Sequence, residues 1–176
     1  GKRVLTNLEA TAMLAGIVVD SKEFSLRTGT RTFDAASYLR SIGASSAVVS
    51  ELLKEDIDSF LEKTHLIATL KMVRPGMAVL VGPNDKIIDP IVTAQAADTA
   101  LDLKNVEASF AITRRSQDTI GISARSMGKI NVQIIMEKLG GGGHLSNAAT
   151  QIKNVTVEEA ENRLLKAIDE YEKENE

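Results

Sequence analysis

A run of four glycines that ends on a histidine is the part of this sequence whose residue types point most directly to ligand binding. A backbone without side chains can approach a ligand closely and turn its N–H groups toward an anion, and a polar side chain just after the run adds a directed contact. The alternative, a long helix C-cap or a hinge, stays open from the pattern alone. The candidate ligand contacts of this stretch are Gly140, Gly141, Gly142, Gly143 and His144.

Polar residues near the glycine run extend this candidate site. Arg125 follows a strand-like stretch, and its guanidinium suits a phosphate through two parallel hydrogen bonds, with a surface salt bridge as the alternative. Ser126 and Asn147 are weaker candidates for the same ligand. The charged residues between positions 111 and 138 are mainly basic, and a local basic patch favours a small anionic ligand over a long polyanion.

Asp20 is the candidate residue of the first half of the chain. It closes an apolar run, where a carboxylate is costly unless it is solvated, capping or bound. From the residues alone, a helix terminator or cap is the more frequent role and a ligand the rarer one. The following loop carries Arg27, Thr28 and Arg31, which either meet a phosphate or form a solvated loop.

A complete metal site is not expected in this sequence. A two-metal centre needs several carboxylate or imidazole ligands, and the chain has no Asp-His-His, His-x-Asp or His-Glu-x-x-His motif. His65 is interpreted as a structural histidine within a helix. We therefore expect the polypeptide alone to be catalytically inert.

The elements that position these residues follow from capping signals and apolar spacing. The first half reads as helices: one from a capping box at Thr6 to Asp20, one opened by Thr32 or Asp34 and stopped at Gly43, a short one from Ser45 or Ser46, and one from Asp56 to Met72. From position 77 onward strands alternate with helices. The predicted strands are 77–81, 86–89, 106–113, 119–125 and 148–152, and the predicted helices are 91–103, 131–139 and one that begins at a capping box at Thr156.

These elements predict an α/β (α+β) fold with a helical part followed by a small mixed-sheet domain. Hydrophobic residues make up 43% of the chain and charged residues 26%, which fits a globular protein with an aliphatic core. The net charge of −3 argues against broad coating of nucleic acid. Without an apolar run of roughly 18–20 residues or a signal peptide, we expect a cytoplasmic domain.

Three segments of the sequence resemble a known family. Ile122-Ser-Ala-Arg-Ser, then Asn131-Val, then Gly140-Gly-Gly-Gly-His are similar to the substrate-binding domain that accompanies the DHH phosphodiesterases. Residues 15–21 and 27–40 are similar to the membrane-anchored cyclic-di-AMP phosphodiesterases of the GdpP/YybT type, and the resemblance covers essentially the whole chain. It implies that residues 1–55 are the C-terminal part of a DHH catalytic domain, 56–73 a linking helix and 74–176 the DHH-associated domain.

The resemblance also implies a function. It would be the substrate-binding part of a manganese-dependent phosphodiesterase that hydrolyses a 3′,5′ phosphodiester of cyclic-di-AMP to the linear dinucleotide. Asp20 would ligate one of two manganese ions, and Arg125 with the residues from Gly140 to His144 would hold the nucleotide. The remaining metal ligands would come from an upstream half of the same protein, and the parent would be anchored in the bacterial cell membrane. A homodimer is left open.

Two other functions are compatible with the same domain type. Short-oligonucleotide exonucleases of the nanoRNase or RecJ kind share it, although the sequence Arg27-Thr-Gly-Thr-Arg-Thr-Phe favours the cyclic-dinucleotide branch. The domain also occurs as a tRNA-interacting module in alanyl-tRNA synthetases, which the acidic net charge disfavours. A dimerisation domain with a glycine hinge is the purely structural alternative.

Overall fold

The computed structural model describes residues 5–25 and 28–175. The chain divides into two units, Gly1–Asp56 and Ile57–Glu176. The first unit is helical and the second contains a six-stranded sheet, so the predicted mixed α/β fold class is confirmed. None of the helices in the described ranges combines the length and the hydropathy of a membrane span.

The described residues of the first unit form three helices, α1 (Asn7–Asp20), α2 (Thr30–Ser41) and α3 (Ser46–Leu52). The predicted capping box is present, because Thr6 and Glu9 satisfy each other's backbone N–H groups at the start of α1. The start predicted for α2 is wrong. The helix begins directly after Gly29, and the hydroxyl of Thr32 accepts the Gly29 N–H at 3.3 Å from inside the first turn.

The second unit is built on one mixed sheet in the order β1-β2-β3-β4-β6-β5. Strands β2 and β3 are parallel, and every other neighbouring pair is antiparallel. The strands and helices are α4 (Ile57–Ile67), β1 (Lys71–Arg74), β2 (Met77–Val81), α5 (Pro90–Ala100), β3 (Ala108–Arg114), β4 (Thr119–Ser126), α6 (Val132–Glu137), β5 (Gly142–His144), β6 (Asn147–Lys153) and α7 (Val157–Asn175).

The sheet buries different residues on its two faces because side chains alternate along each strand. On one face, large aliphatic and aromatic side chains such as Phe110 and Ile122 pack with Leu164 of α7 and form the main core under α6 and α7. On the other face, Leu80 and Ala111 pack against the alanines of α5. Small residues on α5 bring this helix close to β3 and β4, where Ser109 donates a hydrogen bond to the Ala97 carbonyl at 2.6 Å.

The predicted helix from Asp56 to Met72 is wrong at its C-terminal end. Helix α4 stops at Ile67, and residues 71–74 form the edge strand β1. The hydroxyl of Thr69 donates to the Leu66 carbonyl and accepts the Val81 N–H at 2.9 Å, so it closes the helix and ties the chain to β2. This tertiary hydrogen bond outweighs the helical spacing of the apolar residues.

The predicted strand 86–89 is also wrong, apart from one isolated parallel bridge between Ile87 and Arg114. Asp89 instead caps α5, because its carboxylate accepts the Ile91 N–H at 2.6 Å and Pro90 occupies the first turn. The hairpin formed by β3 and β4 and the capping box of the last helix are confirmed.

Candidate functional site

Three of the candidate residues line up across three neighbouring strands. Arg125 on β4 lies opposite Asn147 on β6, and Asn147 in turn lies opposite His144 on β5. Directly opposed residues of antiparallel strands project to the same face of a sheet. Arg125, Asn147 and His144 therefore form one row of polar side chains on the face that carries α5.

This face is only half covered. Helix α5 packs on β3 and β4, whereas alternate residues of β6 are exposed to solvent. We call this open part of the sheet the platform; it consists of Gly142, His144, Asn147, Ala149 and Gln151. The platform is a shallow surface bordered by a helix, with a polar row at one end and little side-chain bulk in its middle, which suits a flat ligand with an anionic group.

Arg125 lies at the border between α5 and the platform. Its Nε is 3.2 Å from the Asp98 carboxylate on α5, and one terminal nitrogen donates to the Ala124 carbonyl at 3.0 Å. The side chain is 18% exposed, so most of its aliphatic part is held against the sheet. These contacts orient the guanidinium beside the platform, and a phosphate placed there would meet a pre-positioned group.

The glycine run comprises the end of a helix followed by a short strand. Gly140 has a φ of +76°, and the N–H groups of Gly140 and Gly141 donate to the Glu137 and Met136 carbonyls. This is the left-handed glycine ending that closes many helices. The Thr150 hydroxyl donates to the Leu139 carbonyl and joins this end to β6. The interpretation as a helix C-cap therefore applies to Gly140 and Gly141, and the interpretation as a ligand site applies to the glycines that follow them.

The next glycines permit the edge strand to lie against β6. A Cβ on Gly141 would be 2.2 Å from the Ala149 carbonyl oxygen, and one on Gly143 would be 2.4 Å from the Asn147 carbonyl oxygen. Neither position has room for a side chain. Gly142 differs, because a Cβ there would meet no atom within 4 Å. Since Gly142 pairs with Ala149, its missing side chain leaves open space over the platform.

His144 ends β5 and begins the tight turn that leads to β6. The pair His144 and Asn147 encloses only Leu145 and Ser146. The Leu145 carbonyl accepts the Val132 N–H at 3.1 Å, which ties the turn to the start of α6. The imidazole is exposed, so it is available as a hydrogen-bonding group at the edge of the platform.

Ser126 does not belong to this row. Alternation along β4 directs it to the face opposite Arg125, where it is buried and its hydroxyl accepts the Gly128 N–H at 2.9 Å. The serine of β4 that shares the face of Arg125 is Ser123, which lies opposite Ala149. The role of Ser126 visible in the structure is to shape the turn after β4.

The candidates of the first half of the chain lie in the other unit. Asp20 is the exposed last residue of α1. The Thr28 hydroxyl donates to the Phe24 carbonyl at 3.3 Å. Arg27 lies outside the described residues. The three residues Lys22, Glu23 and Phe24 have left-handed φ angles of 45°, 54° and 66°, which costs about 1–2 kcal/mol each for non-glycine residues.

The described residues do not by themselves fit a manganese site. Across residues 5–25 and 28–175, no three His, Cys, Asp or Glu side chains come together as a potential metal cluster. A two-metal centre needs several such ligands, so Asp20 alone does not provide one.

Two residues of the site were missed by the sequence reasoning. Asp98 lies within the predicted helix 91–103 and is not among the predicted site residues, although a carboxylate after the alanines of this helix is the signal that points to it. Ser123 belongs to the Ile122-Ser-Ala-Arg-Ser motif, and because it is two positions before Arg125 on a predicted strand, alternation puts both on the same face.

Comparison with known proteins identifies the class to which this fold and site belong. The model of the DHHA1 domain matches residues 74–174, more than half of the chain, and the chain belongs to this family. The region contains the sheet, Arg125 and the glycine run. The resemblance to DHH-associated domains that the motifs indicated is thereby confirmed.

Two individual relatives match nearly the whole chain rather than the DHHA1 region alone. The chain is 59% identical over 164 residues to the cyclic-di-AMP phosphodiesterase PdeA of Listeria monocytogenes, covering 93% of this chain and 25% of that protein. It is 53% identical over 173 residues to the cyclic-di-AMP phosphodiesterase GdpP of Bacillus subtilis, covering 97% of this chain and 26% of that protein. The chain thus spans about a quarter of the length of the curated relatives it matches.

A solved structure supports the fold. The crystal structure of an exopolyphosphatase-related protein from Bacteroides fragilis superposes with a TM-score of 0.84 at 20% identity, covering 94% of this chain and 51% of that one. At this identity the likeness concerns the fold alone.

Proposed function

We propose that this chain is the nucleotide-binding part of a cyclic-di-AMP phosphodiesterase, which as a whole protein hydrolyses one 3′,5′ phosphodiester and releases the linear dinucleotide. The observation that carries the proposal is the row of Arg125, Asn147 and His144 beside the open space at Gly142. The names of the relatives that match nearly the whole chain support this substrate over other anions.

Arg125 at the border of the platform and the platform residues make different contacts with the nucleotide. Arg125, oriented by Asp98, binds a phosphate through the guanidinium. Gly142 lets the ligand approach the backbone of β5 without meeting a side chain. His144 and Asn147 supply hydrogen bonds at the sheet edge, to a phosphate oxygen or to a base. Each of these contacts positions the nucleotide and leaves the chemistry to groups outside the platform.

The catalytic parts of the proposal come from the resemblance. Asp20 would be one carboxylate ligand of a manganese site in the longer protein, with Arg27 and Thr28 near the scissile phosphate. The other ligands would come from an upstream half of that protein, and this chain alone is expected to bind without hydrolysing. The parent would be anchored in the bacterial membrane with this part in the cytoplasm.

Calorimetric titration tests the proposal. The chain is titrated with cyclic-di-AMP and with the linear dinucleotide, each with and without manganese. We expect binding that does not need the metal and that weakens about tenfold or more in Arg125→Ala, the loss typical of a charge-assisted hydrogen bond. His144→Ala is expected to weaken binding by a smaller factor. Arg163→Ala is the matched control, because Arg163 is exposed on α7 at the opposite face of the sheet.

Each outcome separates the proposal from its alternatives. Tighter binding of short oligoadenylates than of cyclic-di-AMP would support the oligonucleotide exonuclease instead. Absence of nucleotide binding at millimolar concentration would contradict a site formed by this chain. Binding that is equal in wild type, Arg125→Ala and His144→Ala would reject the platform as the site.

A further inference from the structure

A second arginine lies on the same face of the sheet as Arg125. Arg115 follows β3, and its side chain folds back over β4. A Cβ on Gly121 would be 2.4 Å from the Nε of Arg115 and 2.9 Å from its Cγ. The arginine therefore occupies the space that a side chain at position 121 would fill, on the face shared by Ser123 and Arg125.

One nitrogen of the Arg115 guanidinium is left without a partner by the described part of the chain. Its Nε is buried and has no hydrogen-bond partner within the described ranges. A buried donor without a partner costs free energy, and such groups in native structures call for an explanation. The preceding arginine shows the contrast, because Arg114 donates to the carbonyls of Asn84, Ser116 and Gln117 and so holds the loop together. The stem of Arg115 packs over Gly121, but its Nε makes no such hydrogen bond to the described residues.

The position of Arg115 complements that of Arg125. Gly121, which Arg115 covers, is four residues before Arg125 on β4, about 13 Å away at the rise of an extended strand. Gly121 lies opposite Gln151, so Arg115 borders the far end of the platform just as Arg125 borders the end near His144. This separation exceeds the size of one phosphate group, and a cyclic dinucleotide carries two phosphodiesters.

We propose that Arg115 is the second anion-binding residue of the platform and contacts the far phosphate of a dinucleotide while Arg125 binds the near one. The proposal rests on the nucleotide-binding function proposed above and makes the platform selective for dinucleotides over mononucleotides. The arrangement requires glycine at position 121, because any side chain there would displace the Arg115 guanidinium from the sheet.

The experiment compares ligands with one and with two nucleotides on the whole chain. Arg115→Met keeps the length of the stem that covers Gly121 but removes the charge, and Arg163→Met on α7 is the matched control. Calorimetry with cyclic-di-AMP and the linear dinucleotide is combined with amide NMR titration of AMP, which follows millimolar binding. Arg115→Met should lower the affinity for both dinucleotides about tenfold or more and change that for AMP less than twofold. Arg115→Lys should recover part of the loss.

A second variant separates a binding role from a packing role. Gly121→Ala pushes the guanidinium away from the sheet and should lower dinucleotide affinity to a similar degree, and the double variant Gly121→Ala with Arg115→Met should lose no more than either alone. Dinucleotide binding by Arg115→Met equal to wild type, or an equal loss for AMP, would overturn the role of Arg115 while the proposed function stands. A wild-type chain that binds none of the three ligands would overturn both.

Discussion

Replacing single glycines of the run tests whether β5 lies where the structure puts it. A Cβ at Gly142 meets no atom within 4 Å, whereas one at Gly141 lies 2.2 Å from the Ala149 carbonyl oxygen. To relieve that contact the strand must move by about 1 Å from β6, which disrupts the hydrogen bonds of a three-residue strand. We expect Gly141→Ala to lower the free energy of unfolding of this unit by about 2–3 kcal/mol, in the range of overpacked sites.

Gly142→Ala, in contrast to Gly141→Ala, should not lower the stability of the protein. The substitution removes conformational freedom from the unfolded chain without a clash, so stability should stay the same or rise by up to about 1 kcal/mol. Its methyl group would, however, project over the platform next to Ala149. We therefore expect affinity for cyclic-di-AMP to fall about tenfold or more, although the protein is as stable as wild type.

Urea unfolding followed by far-UV circular dichroism measures stability, and amide hydrogen exchange in β6 assigns the change to this edge of the sheet. Gly140→Ala serves as a backbone control, because its φ of +76° without any nearby atom should cost only about 1 kcal/mol. A loss of stability in Gly142→Ala as large as in Gly141→Ala would show that the register of β5 is wrong. Wild-type nucleotide affinity in a stable Gly142→Ala variant would show that the ligand does not approach this backbone.

Two further predictions concern ionic groups. A double-mutant cycle of Asp98→Ala and Arg125→Ala, measured on the free energy of unfolding, should give a coupling energy of about 1 kcal/mol, between the values of exposed and of buried ion pairs. Additive losses of stability in the double variant would show that this ion pair does not form. The hydroxyl of Ser116 donates to Asp118 and lowers the pKa of that carboxyl below its usual value. A depressed folded-state pKa contributes stability that is present above the unfolded pKa and is lost as the pH falls through the folded one. Removing this interaction in Ser116→Ala should therefore reduce stability at neutral pH. The difference from wild type should begin to shrink as the pH falls below about 4, near the unfolded pKa, and should disappear once the pH is below the lowered pKa of Asp118 in the folded protein. NMR titration of Asp118 giving an ordinary pKa would contradict it.

Much of the fold could be predicted from the sequence because it depends on interactions between residues that are close together in the chain. The capping boxes at Thr6 and Thr156, the β3–β4 hairpin and the left-handed glycine after α6 each involve residues a few positions apart. The end of α4 could not be predicted from the sequence, since it depends on a hydrogen bond between Thr69 and Val81, which are far apart in the chain. The helical spacing of apolar residues continues past Ile67 and therefore does not indicate where α4 ends.

The sequence by itself determined which residues could form a ligand site: a glycine run that ends on a histidine, an arginine after a strand-like stretch, and an asparagine shortly after the run. Those are properties of residue type and local spacing. Only the tertiary structure decided which of them share a face, because β4 and β6 become neighbours through long-range pairing and a shift of one residue would reverse every side chain. That register puts Arg125 with Asn147 and His144, sends Ser126 to the opposite face, and brings Asp98 and Arg115 to the platform from distant parts of the chain.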